Sequence, residues 1–92
     1  MIDVSEGGWN YRVFEGRLKV GVVLVHEILG QDDYARSVGK DLSDQGISVA
    51  LVDLFKGRLA KDMNEGRFFQ QQLQKSDVLD CMEGGRKVLR NR

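Results

Sequence analysis

The sequence predicts an α/β fold in which an amino-terminal β-hairpin precedes a parallel βαβ unit and carboxyl-terminal helices. Val20 to Val25 and Ile47 to Asp53 are apolar, β-branched runs of the kind found in strands covered on both faces. Between them lies a segment of about 14 residues with helical spacing. A strand, a helix and a second strand in this order form a right-handed crossover, so the two strands should be parallel neighbours.

The elements follow in chain order. Ile2 to Ser5 and Tyr11 to Glu15 are short β-prone runs separated by Glu6, Gly7 and Gly8, which fits an antiparallel hairpin with Trp9 and Phe14 as packing aromatics. Gly16 to Lys19 is a further break. After the Val20 to Val25 strand, Asp32 and Asp33 stand where an N-cap and a first-turn acid belong. Tyr34, Val38 and Leu42 recur at a helical spacing on one face, and Gly46 stops the helix as a C-terminal cap. Leu54 to Ala60 is a loop. Lys61 to Lys75 suits a helix carrying Met63, Phe68, Phe69 and Leu73, interrupted at Gly66. The last helix, from Asp77 to Leu89, aligns Val78, Met82, Gly85 and Leu89 along one stripe.

Composition narrows the function. Ninety-two residues suffice for one small domain with a thin core. An apolar share of 41% and a charged share of 30% are globular values. The net charge is zero, so no overall field recruits nucleic acid or an acidic membrane. Acids dominate up to Asp53 and bases beyond it, a polarity that reads as solvated helix faces or as a head-to-tail packing aid. Arg86, Lys87, Arg90 and Arg92 complement the negative end of the last helix. The single cysteine, Cys81, forms no intrachain disulfide, and neither a signal segment nor a membrane-length apolar run is present. A cytoplasmic location is the simplest expectation.

Strand ends decide the chemistry. In open parallel sheets, reactive groups gather beyond the carboxyl ends of the strands, which singles out His26, Glu27 and the backbone of Ile28 and Leu29. A zincin helix needs HExxH, and here Gly30 stands where the second histidine belongs; His26 is the only histidine, so a histidine-rich metal site is excluded. Neither a GxGxxG dinucleotide turn nor a Walker A loop is present, although Asp53 lies at a spacing suited to a ribose contact. No metal and no cofactor are expected.

The run VVLVHEILGQDDYARSVGKDLSDQGISVALVDLFKG, Val22 to Gly57, resembles the first half of the dienelactone hydrolase family within the α/β-hydrolase superfamily. HEILG and VDLF at their observed spacing are the most specific part, and the likeness extends over about Tyr11 to Leu89. It implies a partial α/β-hydrolase fold, with residues 1–92 forming one incomplete domain. It also implies that the N–H of Ile28 contributes to an oxyanion hole and that Glu27 controls a nucleophilic thiol, a task suited to a carboxylate at a desolvated strand end. Arg67 falls near a family arginine that binds a substrate carboxylate; on its residue context alone it is a surface arginine. His26 is not the family's base, and its ring is expected to bond nearby backbone. Asp53 resembles the family's acid after the second strand, a loop-shaping hydrogen bonder.

The family's nucleophile sits on a Gly-x-Cys-x-Gly elbow on a following strand, with Asp and His further on. This sequence contains no such elbow, and Cys81, flanked by Asp80 and Glu83 within a helix, does not replace it. Two functions follow. In one, the chain is the amino-terminal portion of an ester or lactone hydrolase, completed by a second chain that brings nucleophile, acid and base. In the other it is a noncatalytic remnant that binds itself or another protein through an exposed sheet edge. Both expect association, as a homo-oligomer or with a complementing carboxyl-terminal half, because a strand lacking its neighbour invites another chain.

Overall fold

A computed structural model describes Met1 to Asn91. Arg92, placed by sequence at the end of the last helix, lies outside the described residues. The hairpin forms from β1 (Ile2–Glu6) and β2 (Trp9–Phe14), joined through Gly7 and Gly8 and paired antiparallel from Ile2 opposite Val13 to Glu6 opposite Trp9. Then come β3 (Gly21–Leu24), α1 (Asp33–Asp44), β4 (Ser48–Val52), α2 (Met63–Gln71) and α3 (Lys75–Arg90). The sheet order is β1-β2-β4-β3, with β4 antiparallel to β2 and parallel to β3. The fold is thus a mixed α/β one, with four strands and three helices among the described residues.

Alternation along β4 explains its composition. Val49 and Leu51 point to one face of the sheet and Ala50 and Val52 to the other, and all four are 0% exposed. On the first face, Phe14, Ala35, Val49 and Leu51 form a cluster under α1, joined by Val22, Leu24 and Leu42. On the second, Tyr11, Val13 and Val52 pack with Phe69 of α2 and Cys81 and Val88 of α3. Burying each Val or Leu side chain contributes about 1.5–3 kcal/mol, so the central strand anchors both layers.

The apolar run of β3 is covered on its faces and open on one flank. β3 pairs only with β4 and forms a sheet edge; Val20 is 54% exposed and Val25 40%. Val23 packs against the core beneath α3 and Val22 and Leu24 against the cluster under α1, so both faces are covered and only the flank away from β4 is open.

Helix ends follow local chemistry. The Asp32 carboxylate accepts the Ala35 N–H at 2.9 Å and so caps α1, worth about 1 kcal/mol. At the other end the Gly46 N–H donates to the Ser43 carbonyl and the Ile47 N–H to that of Leu42, a Schellman closure that needs the left-handed φ of 98° at Gly46. The buried face of α1 is carried by Ala35 and Gly39 with Val38 and Leu42, whereas Tyr34 is exposed. Small residues let α1 approach the sheet, where Gly39 lies against the Phe14 ring.

The carboxyl-terminal helices differ from expectation in the same way. α2 runs unbroken through Gly66, and Met63 and Phe68 face solvent while Phe69 is buried. α3 begins at Lys75, two residues early, because Asp77 is its third residue and reaches back to accept the Gln74 N–H at 3.1 Å. Its inner face is Cys81, Gly84, Gly85 and Val88, and Met82 is exposed. Lys87 and Arg90 do lie in the last turn, beside the negative end of the helix.

Gly84 is where α3 meets the sheet most closely. The Tyr11 hydroxyl donates to the Cys81 carbonyl at 2.5 Å, and a Cβ on Gly84 would collide with that same hydroxyl. Burial, reinforced by Cys81, holds the Tyr11 hydroxyl protonated well beyond the ordinary tyrosine range. Gly84→Ala is therefore expected to cost about 1–3 kcal/mol in urea unfolding. Tyr11→Phe should cost about 1 kcal/mol by itself. Because phenylalanine removes the obstructing oxygen, the double variant should lose less than the two singles added together, a coupling that a double-mutant cycle would read directly.

Candidate active site at the carboxyl ends of the parallel strands

His26 locks the two parallel strand ends together. Its ring is 8% exposed, and its Nε2 lies 3.0 Å from the Leu54 backbone N–H. As that amide can only donate, Nε2 must carry the lone pair; the ring proton is then on Nδ1, which donates to the Glu27 carbonyl at 2.9 Å. Phe55 packs against the same ring with centroids 4.9 Å apart. The bonds to nearby backbone expected of the His26 ring are present at both of its nitrogens.

The chain then turns tightly. The Gly30 N–H donates to the Glu27 carbonyl at 3.0 Å, which makes Ile28 and Leu29 the two central residues of a β-turn. Their carbonyls are engaged from outside: Ala60 N–H donates to Leu29, and α2 abuts Ile28 at Gly66, where a Cβ would run into the Ile28 carbonyl and side chain. Gly66 is thus not a helix breaker but the point at which α2 rests on the turn. The Ile28 N–H has no acceptor among the described residues. It is a fixed, unspent donor at the end of a parallel strand, and Ile28 itself is only half buried.

Glu27 departs from the desolvated setting expected for it. Its side chain is exposed and bonded to no described residue. Arg67 follows Gly66 on α2, so the helix places it one residue from the contact with Ile28; it is exposed, and no ion pair joins it to Glu27. The structure therefore brings the turn of Glu27 and Ile28 together with the helix bearing Arg67, without linking the two side chains.

Asp53, at the end of β4, also differs from its expected part. It is 8% exposed and its Oδ1 has no hydrogen-bond partner, so the loop is shaped by its backbone carbonyl, which accepts the Lys56 N–H at 3.3 Å. Gln31 went unnoticed in the sequence. Its Nε2 donates to the Leu51 and Val52 carbonyls at 3.2 and 3.3 Å, clamping the segment after the turn onto β4. The only sequence signal was a long amide side chain between Gly30 and the helix cap Asp32. Both residues line a cleft of about 320 Å³ with Asp3, Asn10 and Arg12.

Cys81 is 0% exposed, and burial pushes its thiol above the ordinary range. Tyr11 and the Asp53 backbone oppose that rise, while the charges of Asp53 and Asp80 add to it. A larger concavity of about 920 Å³ lies at the opposite ends of the strands, beside Val20, Gly21, Arg86 and Leu89. It follows from the open edge of β3 and holds none of the groups just described.

No family model matches this chain, and no curated protein does. Sixteen solved chains are similar to it. One of them, named m3DLH, aligns with 88% of this chain at a TM-score of 0.62 and 25% identity. The chain spans 40% of the length of m3DLH. No helix among the described residues is long and apolar enough to cross a membrane.

Gly66→Ala tests the seating of α2. A methyl group there meets backbone rather than a flexible side-chain tip, so α2 must shift, at an expected cost of about 1–3 kcal/mol. Amide hydrogen exchange should accelerate in α2 and in the 27–30 turn while β2 and β4 stay protected.

Proposed function

We propose that this chain is the amino-terminal portion of a dienelactone hydrolase-like enzyme acting on carboxylic esters or lactones, with the attacking group, its acid and its base supplied from outside these 92 residues. The observation that carries the proposal is the unspent Ile28 N–H on a turn held by the His26 bridge at one end and by α2 at the other. The fold likeness to m3DLH, of which this chain spans 40%, agrees with a part of a larger domain.

In acyl transfer a nucleophile bonds to the carbonyl carbon, and the π pair moves onto the carbonyl oxygen. That oxygen becomes an anion, which a preorganised N–H stabilises more than it stabilises the neutral ester. When the tetrahedral centre collapses, the leaving alkoxide departs and an acyl-enzyme remains for water to hydrolyse. Ile28 serves the first event. Glu27, unpartnered beside it, would accept or hold the proton of an incoming thiol, and closure by the completing chain would supply the desolvation that its exposed setting lacks. Arg67, on the helix seated against the turn, would meet the carboxylate of an acidic substrate.

Ile28→Pro isolates the amide. Proline suits the second position of a β-turn and lacks an N–H, so the turn should persist while the donor disappears. In a complex with a downstream-encoded partner carrying Gly-x-Cys-x-Gly or Gly-x-Ser-x-Gly, hydrolysis of p-nitrophenyl acetate should fall about 10²–10³-fold. Glu27→Gln should alter the rate and its pH profile. Turnover by the 92-residue chain alone, or a complex indifferent to Ile28→Pro, would defeat the proposal.

The exposure of β3 favours a second reading, self-association of a noncatalytic chain. Leu18, Val20 and Val25 are all exposed along this edge, and one side of β3 has no strand beside it. Sedimentation at micromolar concentration should then show a dimer, and Val20→Lys with Val25→Lys should shift it to monomer. A monomer in the unaltered chain would eliminate this alternative.

A further inference from the structure

Three hydrogen bonds in series hold the turn after β3, and the His26 ring is the middle link. The Leu54 N–H donates to Nε2 at 3.0 Å, the Nδ1–H donates to the Glu27 carbonyl at 2.9 Å, and the same carbonyl receives the Gly30 N–H at 3.0 Å, which closes the turn bearing Ile28. Both ring nitrogens are spent on backbone, and the first bond exists only while Nε2 keeps its lone pair.

The surroundings give an added proton no support. The ring's contacts are the Leu54 amide, the Glu27 carbonyl and the Phe55 ring, all neutral, and among the described residues no carboxylate forms an ion pair with it. Of the titratable groups on the elements around it, Glu27 and Arg67 are exposed, Lys56 lies over the Trp9 ring, and Asp32 accepts the Ala35 N–H. Asp53 is buried one residue before Leu54, and burial keeps the Cys81 thiol neutral. A proton on Nε2 therefore sets N–H against N–H in a site that is 8% exposed.

We infer that the His26 bridge is an acid-released latch: proton uptake at Nε2 parts Leu54 from the ring and frees the turn that carries the Ile28 N–H, while the sheet beneath stays closed. The linkage has one sign. The closed form excludes the proton and the open form accepts it, so the latch holds near neutrality and is lost as pH falls, the open population rising about tenfold per unit of acidification for one proton taken up. The inference rests on the acyl-transfer reading only for the task of the released turn, which is to present an oxyanion donor. Its experiment reads the latch itself, so either can fail without the other.

Amide hydrogen exchange of the isotopically labelled chain, followed by NMR from about pH 8 to about pH 5 and corrected for intrinsic rates, tests it. At the upper end the ring nitrogens should report the Nδ1–H tautomer. On acidification, protection of the Leu54 and Gly30 amides should drop about tenfold per unit until the ring itself is seen to titrate, while amides of β2 and β4 keep theirs. His26→Gln, whose amide oxygen can accept the Leu54 N–H at any pH, should flatten that exchange profile, and Glu27→Gln should retain it. A ring that takes up its proton with Leu54 and Gly30 still protected, or a loss of protection shared equally by β2 and β4, would overturn the inference. So would a profile that persists in His26→Gln or vanishes in Glu27→Gln. The unaltered chain decides the matter even where His26→Gln does not fold.

Discussion

Everything in this molecule depends on covering β4 from both sides. Four consecutive residues, Val49 to Val52, are completely withdrawn from water, and a strand in that position requires a helical layer on each face as well as a strand on each flank. β2 and β3 supply the flanks, α1 one layer, and α2 with α3 the other. The carboxyl end of β4 then has a fixed place, and with it the two groups that leave the strand there, the Leu54 amide and the Asp53 carboxylate.

The cost of that arrangement falls on the helices, which must come close to a sheet bearing aromatic rings. Gly39 sits over Phe14 and Gly84 over Tyr11, so α1 and α3 present small residues inward. This explains which parts of the fold were legible in the sequence. The hairpin, the parallel pairing and the capping signals at Asp32 and Gly46 depend on local chemistry and on chain connectivity, and both can be read from residue types, whereas the antiparallel seating of β2 beside β4 is a long-range pairing that they do not announce. The inward stripes were misjudged at Tyr34 and Met82 because hydrophobicity was weighed above size. The valines of β3 announce a strand covered on its faces, and its open flank is the exposed edge that a missing neighbour leaves.

The site was legible to a similar degree. A polar pair after an apolar strand pointed to His26 and Glu27, and backbone bonding by His26 was expected because the catalytic base of the family that the sequence resembles lies elsewhere. The bridge from its Nε2 to Leu54 joins residues 28 positions apart, a contact that no local pattern encodes. Gly66 looked like an interruption because glycine is a poor helix former; its purpose is to admit the carbonyl of Ile28, which only the packing of α2 reveals. Asp53 and Gln31 share a cleft that depends on the hairpin folding over beside β4, so nothing in their own neighbourhoods announced it.

The two margins of the sheet are unlike each other. β1 ends it with an antiparallel, largely polar strand, whereas β3 ends it with a parallel, apolar one whose last residues lead into the His26 turn. Direction of arrival therefore matters more than affinity for whatever joins β3. A newcomer running alongside in the same sense brings its own final residues to the free amide of Ile28, while one running the other way brings its first residues there and carries its tail toward Arg86. The same ribbon of valines would thus make a reaction centre with one visitor and an inert seam with another.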